Sequence, residues 1–241
     1  MEVKLYLMIK HGNSVTVAMI TLNEEASIQK VVNDIRKIDQ RIEILIVDSS
    51  TDNTGKIAEE IGVKVIRQFP PKGYGPAMDL ALKSCDREVI ITMDCDDTYP
   101  TDEIELFSSK ILEENYDLVE GDRLEKKPKN MPIINYLANY FFALIASLLF
   151  FKRIRDLHSG MRAYRKSIIT SLPYNPDGVS LPVELLLWPI RLNYKIYFKP
   201  IKYKERIGES KLEPLKAAYW TVVRILRARF IKIKKWQVSL Y

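Results

Sequence analysis

The sequence predicts an α/β fold built on a mostly parallel sheet flanked by helices. Short apolar runs rich in β-branched residues alternate with helical stretches of about ten residues or more, the pattern of strands joined by crossover helices. One of these runs, Glu88 to Met93, leads directly into Asp94-Cys95-Asp96-Asp97. In an open α/β sheet the carboxyl ends of strands open onto the ligand crevice. At 241 residues, 47% of them hydrophobic and 28% charged, the chain is long and apolar enough to bury a real core.

Val15 to Thr21 reads as the first strand. Asn23-Glu24-Glu25 then starts a helix running to about Ile38. Glu43 to Val47 is the second strand, and Asp48-Ser49-Ser50-Thr51-Asp52 supplies turn residues and caps for a helix from Asn53 to Ile61. Gly62 is well placed to stop that helix. Val63 to Arg67 is the third strand. A loop follows that carries Pro70, Pro71, Gly73, Gly75 and Pro76, then a helix to about Cys85. After the strand at Glu88–Met93 come a helix from Asp102 to Glu114 and a strand at Leu118-Val119-Glu120. Gly73-Tyr74-Gly75 is a poor dinucleotide fingerprint, since Met78 stands at the third glycine position; a loop that lets backbone approach a ligand is the better reading.

The net charge of +6 is unevenly spread. No acidic residue lies between Lys126 and Arg155, and none follows Glu213, where Lys216, Arg224, Arg227, Arg229, Lys232, Lys234 and Lys235 accumulate. Met131 to Phe151 is free of charge and bounded by lysines and arginines. Its length permits a membrane span. A single span would separate Asp96 from everything after Arg155, so an interfacial helix is favoured, with a buried core helix as the plain alternative. The segment from Leu215 to Trp236 mixes aromatic, aliphatic and basic residues, as a helix on an anionic membrane surface does. The chain is therefore divided into residues 1–14 as an N-terminal extension, 15–212 as the main domain and 213–241 as a basic amphipathic segment. The first 25 residues lack the order of a signal peptide. Cys85 and Cys95 form no metal-binding or disulfide pattern.

Asp94 and Asp96, one residue apart on the turn leaving a strand, can face a divalent cation and the phosphates it carries. Their company gives that reading weight. Thr21-Leu22-Asn23-Glu24-Glu25, Val47-Asp48-Ser49-Ser50-Thr51-Asp52, Lys72-Gly73-Tyr74-Gly75-Pro76-Ala77, Asp94-Cys95-Asp96-Asp97-Thr98-Tyr99-Pro100, Gly121-Asp122-Arg123, Asp156-Leu157-His158-Ser159-Gly160-Met161-Arg162-Ala163-Tyr164-Arg165 and Arg206-Ile207-Gly208-Glu209-Ser210-Lys211-Leu212 occur in that order. Together they resemble glycosyltransferase family 2. The last two resemble its dolichol-phosphate mannosyltransferase and dolichol-phosphate glucosyltransferase group. Ser50-Thr51 departs from the family's Gly-Ser, and Gly121-Asp122-Arg123 stands where the family carries G-S-R.

The resemblance implies a GT-A type, Rossmann-like sheet, inversion at the anomeric carbon and transfer of a hexose from UDP-glucose or GDP-mannose to dolichyl or polyprenyl phosphate. It implies a Mg²⁺ or Mn²⁺ cofactor on Asp94 and Asp96, with Thr98 standing where relatives place a further ligand. It assigns Thr21, Asn23, Glu24, Asp48, Lys72, Gly73 and Asp94 to donor binding, and Asp96, Arg123, Arg206, Ser210 and Lys211 to the transfer itself. The implied setting is the cytoplasmic face of a membrane, peripheral or monotopic, with an anionic lipid surface as partner. UDP-N-acetylglucosamine is also compatible, and the sequence carries no signal for oligomeric state. Packing and sugar contact stand level for His158, and Glu184, on an apolar helix, needs a partner.

Two other readings compete. A family relative acting on a saccharide hydroxyl needs a general base, from Asp97 or Glu184. A non-enzymatic basic protein that binds lipid or nucleic acid accounts for the basic terminus but leaves Asp48, Asp94 and Asp96 without purpose. Carboxylates repel phosphate backbones, so no nucleic-acid partner is expected.

Overall fold

The computed structural model describes residues 11–129, 131–207 and 213–232. Its strands are β1 (Val15–Thr21), β2 (Glu43–Asp48), β3 (Lys64–Arg67), β4 (Val89–Thr92), β5 (Leu118–Asp122), β6 (Arg162–Arg165) and β7 (Ile196–Pro200). Its helices are α1 (Ile28–Ile38), α2 (Thr54–Glu60), α3 (Tyr74–Lys83), α4 (Ile104–Leu112), α5 (Ile133–Phe150), α6 (Lys166–Ser171), α7 (Leu181–Arg191) and α8 (Pro214–Phe230). The strands form one sheet in the order β3-β2-β1-β4-β6-β5-β7.

Side chains alternate across β1 and β2 and fill both faces. Val15, Val17, Met19, Ile44 and Ile46 join α1 and α4 in one apolar layer. Ala18, Leu45 and Val47 join α3 and α7 in the other. Strands buried on both faces read as continuous apolar runs, which is why these were visible in the sequence. The first helix starts at Ile28, later than Asn23. Residues before it are held as a loop: Asn23 has a φ of 56°. Its N–H donates to Ser50 Oγ at 2.8 Å, and the Glu24 N–H donates to Thr54 Oγ1 at 2.8 Å.

The sheet is mixed. β1, β2, β3 and β4 are parallel neighbours and β5 is parallel to β7, while β6 runs antiparallel to both β4 and β5. This reversal positions the site. Thr92, the last residue of β4, pairs with Arg162, the first residue of β6. The segment entering β6 therefore lies at the carboxyl end of β4. The carboxyl ends of β5 and β7 open onto the same rim, because Glu120 pairs with Arg162 and Asp122 with Pro200. Buried Arg162 ties the rim together by pairing with Glu120 and donating to the carbonyls of Pro182 and Leu157.

α5 corrects the core alternative for Met131–Phe151. Among its 18 residues only Ala143 and Ala146 are buried. Ile133, Ile134, Leu137, Tyr140, Phe141, Leu144 and Leu148 are exposed. The helix is long and apolar enough to cross a membrane, yet β5 and β6, which flank it in sequence, are paired neighbours. The chain leaves and re-enters the sheet on one side, so a single span with domains on opposite sides is excluded. α8 packs on α7 and α5 and exposes Leu215, Tyr219, Val222, Leu226 and Phe230. Arg224 does not belong to its basic surface. It is fully buried and pairs with Glu184 at 2.9 Å.

Candidate active site

Thr21 and Asp48 end adjacent parallel strands and lie side by side in the register. The Thr21 hydroxyl donates to Asp48 Oδ1 at 2.7 Å, and the Ser50 N–H donates to the same oxygen at 3.1 Å. The other carboxylate oxygen faces the Arg67 guanidinium, whose residue is the register partner of Asp48 on β3. Asn23 Oδ1 accepts the Thr51 N–H at 2.8 Å. A carboxylate held from several sides at the mouth of two strands is a pre-set hydrogen-bond acceptor. Lys72 and Gly73 sit exposed on the rim, and Gly73, with a φ of 97°, occupies backbone space that favours glycine.

The second cluster centres on the acidic pair after β4. Asp94 is half-buried and Asp96 nearly fully buried. The Thr98 N–H and hydroxyl donate to Asp96 Oδ1 at 3.1 and 2.6 Å. Thr98, expected as a metal ligand, is turned onto Asp96 and fully buried, so it orients that carboxylate. Burial, then the neighbouring Asp96 carboxylate, push Asp94 up to about 7. Two carboxylates that oppose each other's ionisation are a ready place for added positive charge. Gly160 leaves room for Asp94: a Cβ there would lie 3.0 Å from Asp94 Oδ1 and 3.1 Å from the Tyr99 hydroxyl. The Gly160 N–H donates to that hydroxyl at 2.6 Å.

Cations arrive from far along the chain. Arg206, beyond β7, reaches Asp96 Oδ2 at 3.4 Å and Glu24 Oε1 at 3.1 Å, while the Ile207 N–H donates to the Asp96 carbonyl at 2.9 Å. Among the described residues Arg206 Nε is buried without a hydrogen-bond partner. Arg123, after β5, donates to both oxygens of Asp156 at 2.7 and 3.0 Å and lies over the Tyr203 ring at 5.2 Å. Burial pushes the Asp156 carboxyl up, but the Arg123 charge and hydrogen bonds outweigh it and hold the group below the usual carboxylate range. Ser210 and Lys211 lie outside the described residues.

Glu24, Asp94, Asp96, Thr98, Arg123 and Arg206 thus share one rim, and Thr21, Asn23 and Asp48 form its neighbouring half. Asp97 is turned away: with a φ of 63°, it pairs with Lys30 at 2.8 Å and Lys204 at 3.8 Å. Glu184 is no part of the site either; Arg224, Arg227 and the Trp188 indole N–H occupy its oxygens. His158 is a packing residue. The Thr221 hydroxyl donates to the Ala217 carbonyl at 2.7 Å, which leaves His158 Nε2 to donate to Thr221 at 2.8 Å. Burial lowers its pKa to about 4. The residues that sequence reasoning missed are Arg67, Asp156, Tyr99 and Tyr203. Asp156 opens a recognised motif, whereas Arg67 and Tyr203 gain meaning only from strand order.

The family description "Glycosyl transferase family 2" matches residues 16–172. The chain is 41% identical over 203 residues to the dolichyl-phosphate hexose transferase of Haloferax volcanii, covering 84% of this chain and 88% of that one. It is 29% identical over 237 residues to the dolichol-phosphate mannosyltransferase of Pyrococcus furiosus, covering 92% of this chain and 64% of that one. Among solved structures it resembles glucosyl-3-phosphoglycerate synthase from Mycobacterium tuberculosis, in complex with Mn²⁺, uridine diphosphate and glucosyl-3-phosphoglycerate. That match has a TM-score of 0.74 at 21% identity and covers 94% of this chain and 83% of the other. This likeness bears on the fold, which is GT-A-like with a mixed Rossmann-type sheet. The match over most of the sheet, together with the identity to the Haloferax volcanii enzyme, means that the chain belongs to glycosyl transferase family 2 and is a glycosyltransferase.

Proposed function

We propose that the protein transfers a hexose from a nucleoside-diphosphate sugar to dolichyl or polyprenyl phosphate, at an anionic membrane surface on its cytoplasmic face. The observation that carries this reading is the meeting of Asp94 and Asp96 with Arg206 and Arg123. Such a site must accept two phosphorylated substrates and disperse the charge of a departing diphosphate. The name of the 41% identical relative supports the acceptor class.

Asp94 and Asp96 fit Mg²⁺ or Mn²⁺. Among the described residues no cluster of three or more His, Cys, Asp or Glu side chains is placed to hold a metal alone, but Mg²⁺ asks for only one or two carboxylates when phosphate supplies the rest. The solved relative was complexed with Mn²⁺. When bound, the ion supplies neutralisation of the leaving diphosphate. Thr98 and Arg206 orient Asp96 for that role. Asp48, with Thr21 and Asn23 around it, accepts hydrogen bonds from the base, and Lys72 and Gly73 close over the donor from the rim. Arg206, Lys211 and Ser210 gather phosphate oxygens. Arg123, locked by Asp156, adds a fixed guanidinium beside Tyr203.

A phosphate acceptor is already an anion, so no side chain need deprotonate it. Transfer to a saccharide hydroxyl needs a base, and both carboxylates considered for that task are committed elsewhere, Asp97 to lysines and Glu184 to buried Arg224 and half-buried Arg227. The membrane setting is supported by the exposed apolar faces of α5 and α8, bordered by Lys126, Lys127, Lys129, Lys152 and Arg153 and by Lys216, Arg229 and Lys232. Each cation close to an anionic leaflet contributes about 1 kcal/mol.

Incubation with labelled UDP-glucose, GDP-mannose and UDP-N-acetylglucosamine, each with Mn²⁺ and a short polyprenyl phosphate, tests the reading. Label extracted into organic solvent with one donor is the expected result. Label that stays aqueous and moves onto phosphoglyceric acid or a free saccharide would overturn the lipid acceptor.

A further inference from the structure

Helix α8 carries one of the exposed apolar faces, and its opposite side is wired to the start of α3 after Lys72-Gly73 and to Arg123. Arg224 is the main connection. Its Nε donates to the Val179 carbonyl at 2.6 Å, and its terminal nitrogens donate to the carbonyls of Asn175 and Asp177 at 2.9 and 2.8 Å. Glu184 neutralises it at 2.9 Å. One guanidinium therefore fixes the backbone of the 175–179 loop. One turn before it, the Trp220 ring covers Gly178 so closely that no Cβ fits there, and Gly178 has a φ of 78° that favours glycine.

That loop in turn holds the start of α3. The Gly75 N–H donates to the Gly178 carbonyl at 3.1 Å, and the Pro176 carbonyl occupies the space where a Cβ on Gly75 would go. Gly75 continues directly from Lys72-Gly73-Tyr74, the segment whose Lys72 and Gly73 are assigned to donor binding. A second connection starts at Thr221, which receives a hydrogen bond from His158. The His158 N–H donates to Asp156 at 2.9 Å, and Asp156 holds Arg123. The start of α3 and the Asp156 segment that holds Arg123 thus both lean on the inner face of one helix.

We propose that Arg224 is a positioning residue for nucleotide binding, and that seating α8 on an anionic lipid surface tightens the site for its nucleotide. The inference rests on the donor and membrane readings given above and adds a coupling between them. Coupling between two binding events is reciprocal, so bound nucleotide must strengthen lipid attachment by the same factor.

The experiment uses the full chain with Mn²⁺ and measures the Kd of UDP and of GDP by calorimetry, with and without phosphatidylglycerol–phosphatidylcholine vesicles. Wild type is compared with Arg224→Lys, which keeps a charge for Glu184 but cannot span the three carbonyls. The expected result is a wild-type Kd about fivefold or more tighter on vesicles. Arg224→Lys is expected to bind nucleotide about fivefold or more weakly, to sediment with vesicles as wild type does and to show no vesicle effect on Kd. A Kd unchanged by the substitution overturns the positioning role, and a wild-type Kd unchanged on bound vesicles overturns the coupling. If Arg224→Lys does not fold, Trp220→Leu gives the same readout with the Glu184 pair intact. Wild type that never sediments with vesicles refutes the membrane reading and the coupling with it, while the effect of the substitution on Kd still decides the positioning role. Binding of neither nucleotide refutes the donor reading and the positioning role together.

Discussion

Replacing Asp156 separates what its pair with Arg123 does for the fold from what it does for the reaction. Asp156 is nearly fully buried and Arg123 is 9% exposed. The carboxylate accepts two bonds from the guanidinium, one from the Arg123 N–H at 3.3 Å and one from the His158 N–H. Asp156→Leu leaves a guanidinium in low dielectric without its counter-charge, which costs about 3–5 kcal/mol. In a domain of this size each kcal/mol is worth a few degrees, so Tm falls by about 6–20 °C. The double variant Arg123→Met with Asp156→Leu removes both charges and keeps apolar volume, and such replacements are often neutral. Its Tm is expected to return most of the way to wild type. Its transfer activity is not, because the fixed guanidinium beside the acidic pair is gone; the loss is expected at about a hundredfold. Thermal melts of the wild type and both variants, read beside organic extraction of labelled product, test the reasoning. A single variant as stable as wild type would refute the buried-pair argument. A double variant with full activity would refute any role for Arg123 in transfer.

Asp96→Ala is expected to abolish turnover with Tm kept within a few degrees; normal turnover in Mn²⁺-replete buffer would remove metal-assisted transfer from the account. Gly160→Ala brings a methyl carbon to 3.0 Å from Asp94 Oδ1 and is expected to raise the Mn²⁺ concentration needed for half-maximal rate, an effect checked by metal titration. His158 is neutral in the fold with a pKa of about 4 against 6.5 when free. Between those values the unfolded chain binds the proton and the folded chain does not, so stability is intact above pH 6.5 and falls by up to about 3 kcal/mol towards pH 4. Urea midpoints are expected to fall with pH across that range more steeply for wild type than for His158→Leu; equal slopes would contradict the buried neutral ring. Tyr219→Glu with Leu226→Glu charges only the outer face of α8 and is expected to release the protein from anionic vesicles without changing Tm, where unchanged sedimentation would shift anchoring to α5.

Much of this architecture was legible because it is local. β1, β2 and β4 are apolar on both faces, and an uninterrupted β-branched run announces itself. The acidic pair and Arg206 were singled out through motif order, and the fold brings Arg206 to 3.4 Å from Asp96. β6 was hidden because Arg162-Ala163-Tyr164-Arg165 carries charge at both ends and shows no period. Its Arg162 is tolerated in the interior only because Glu120 on the neighbouring strand neutralises it. The same limit applies to Arg224, which reads as one more surface cation until α7 supplies Glu184 across 40 residues of sequence. A charge pattern says how many cations a helix has, and only packing says which of them face inward.

The reversed strand has a further consequence for how such a molecule can vary. The polypeptide departs after β5 and comes back into β6, its immediate partner, so everything in between is an excursion tethered at both ends to one hairpin-like pair. Its oily helix can be lengthened, shortened or exchanged for a short polar connection without rewiring any hydrogen bond of the sheet. A trimmed version lacking residues 127–153 would keep the acidic rim and lose one of the two exposed apolar helices, leaving α8 alone to meet any apolar surface.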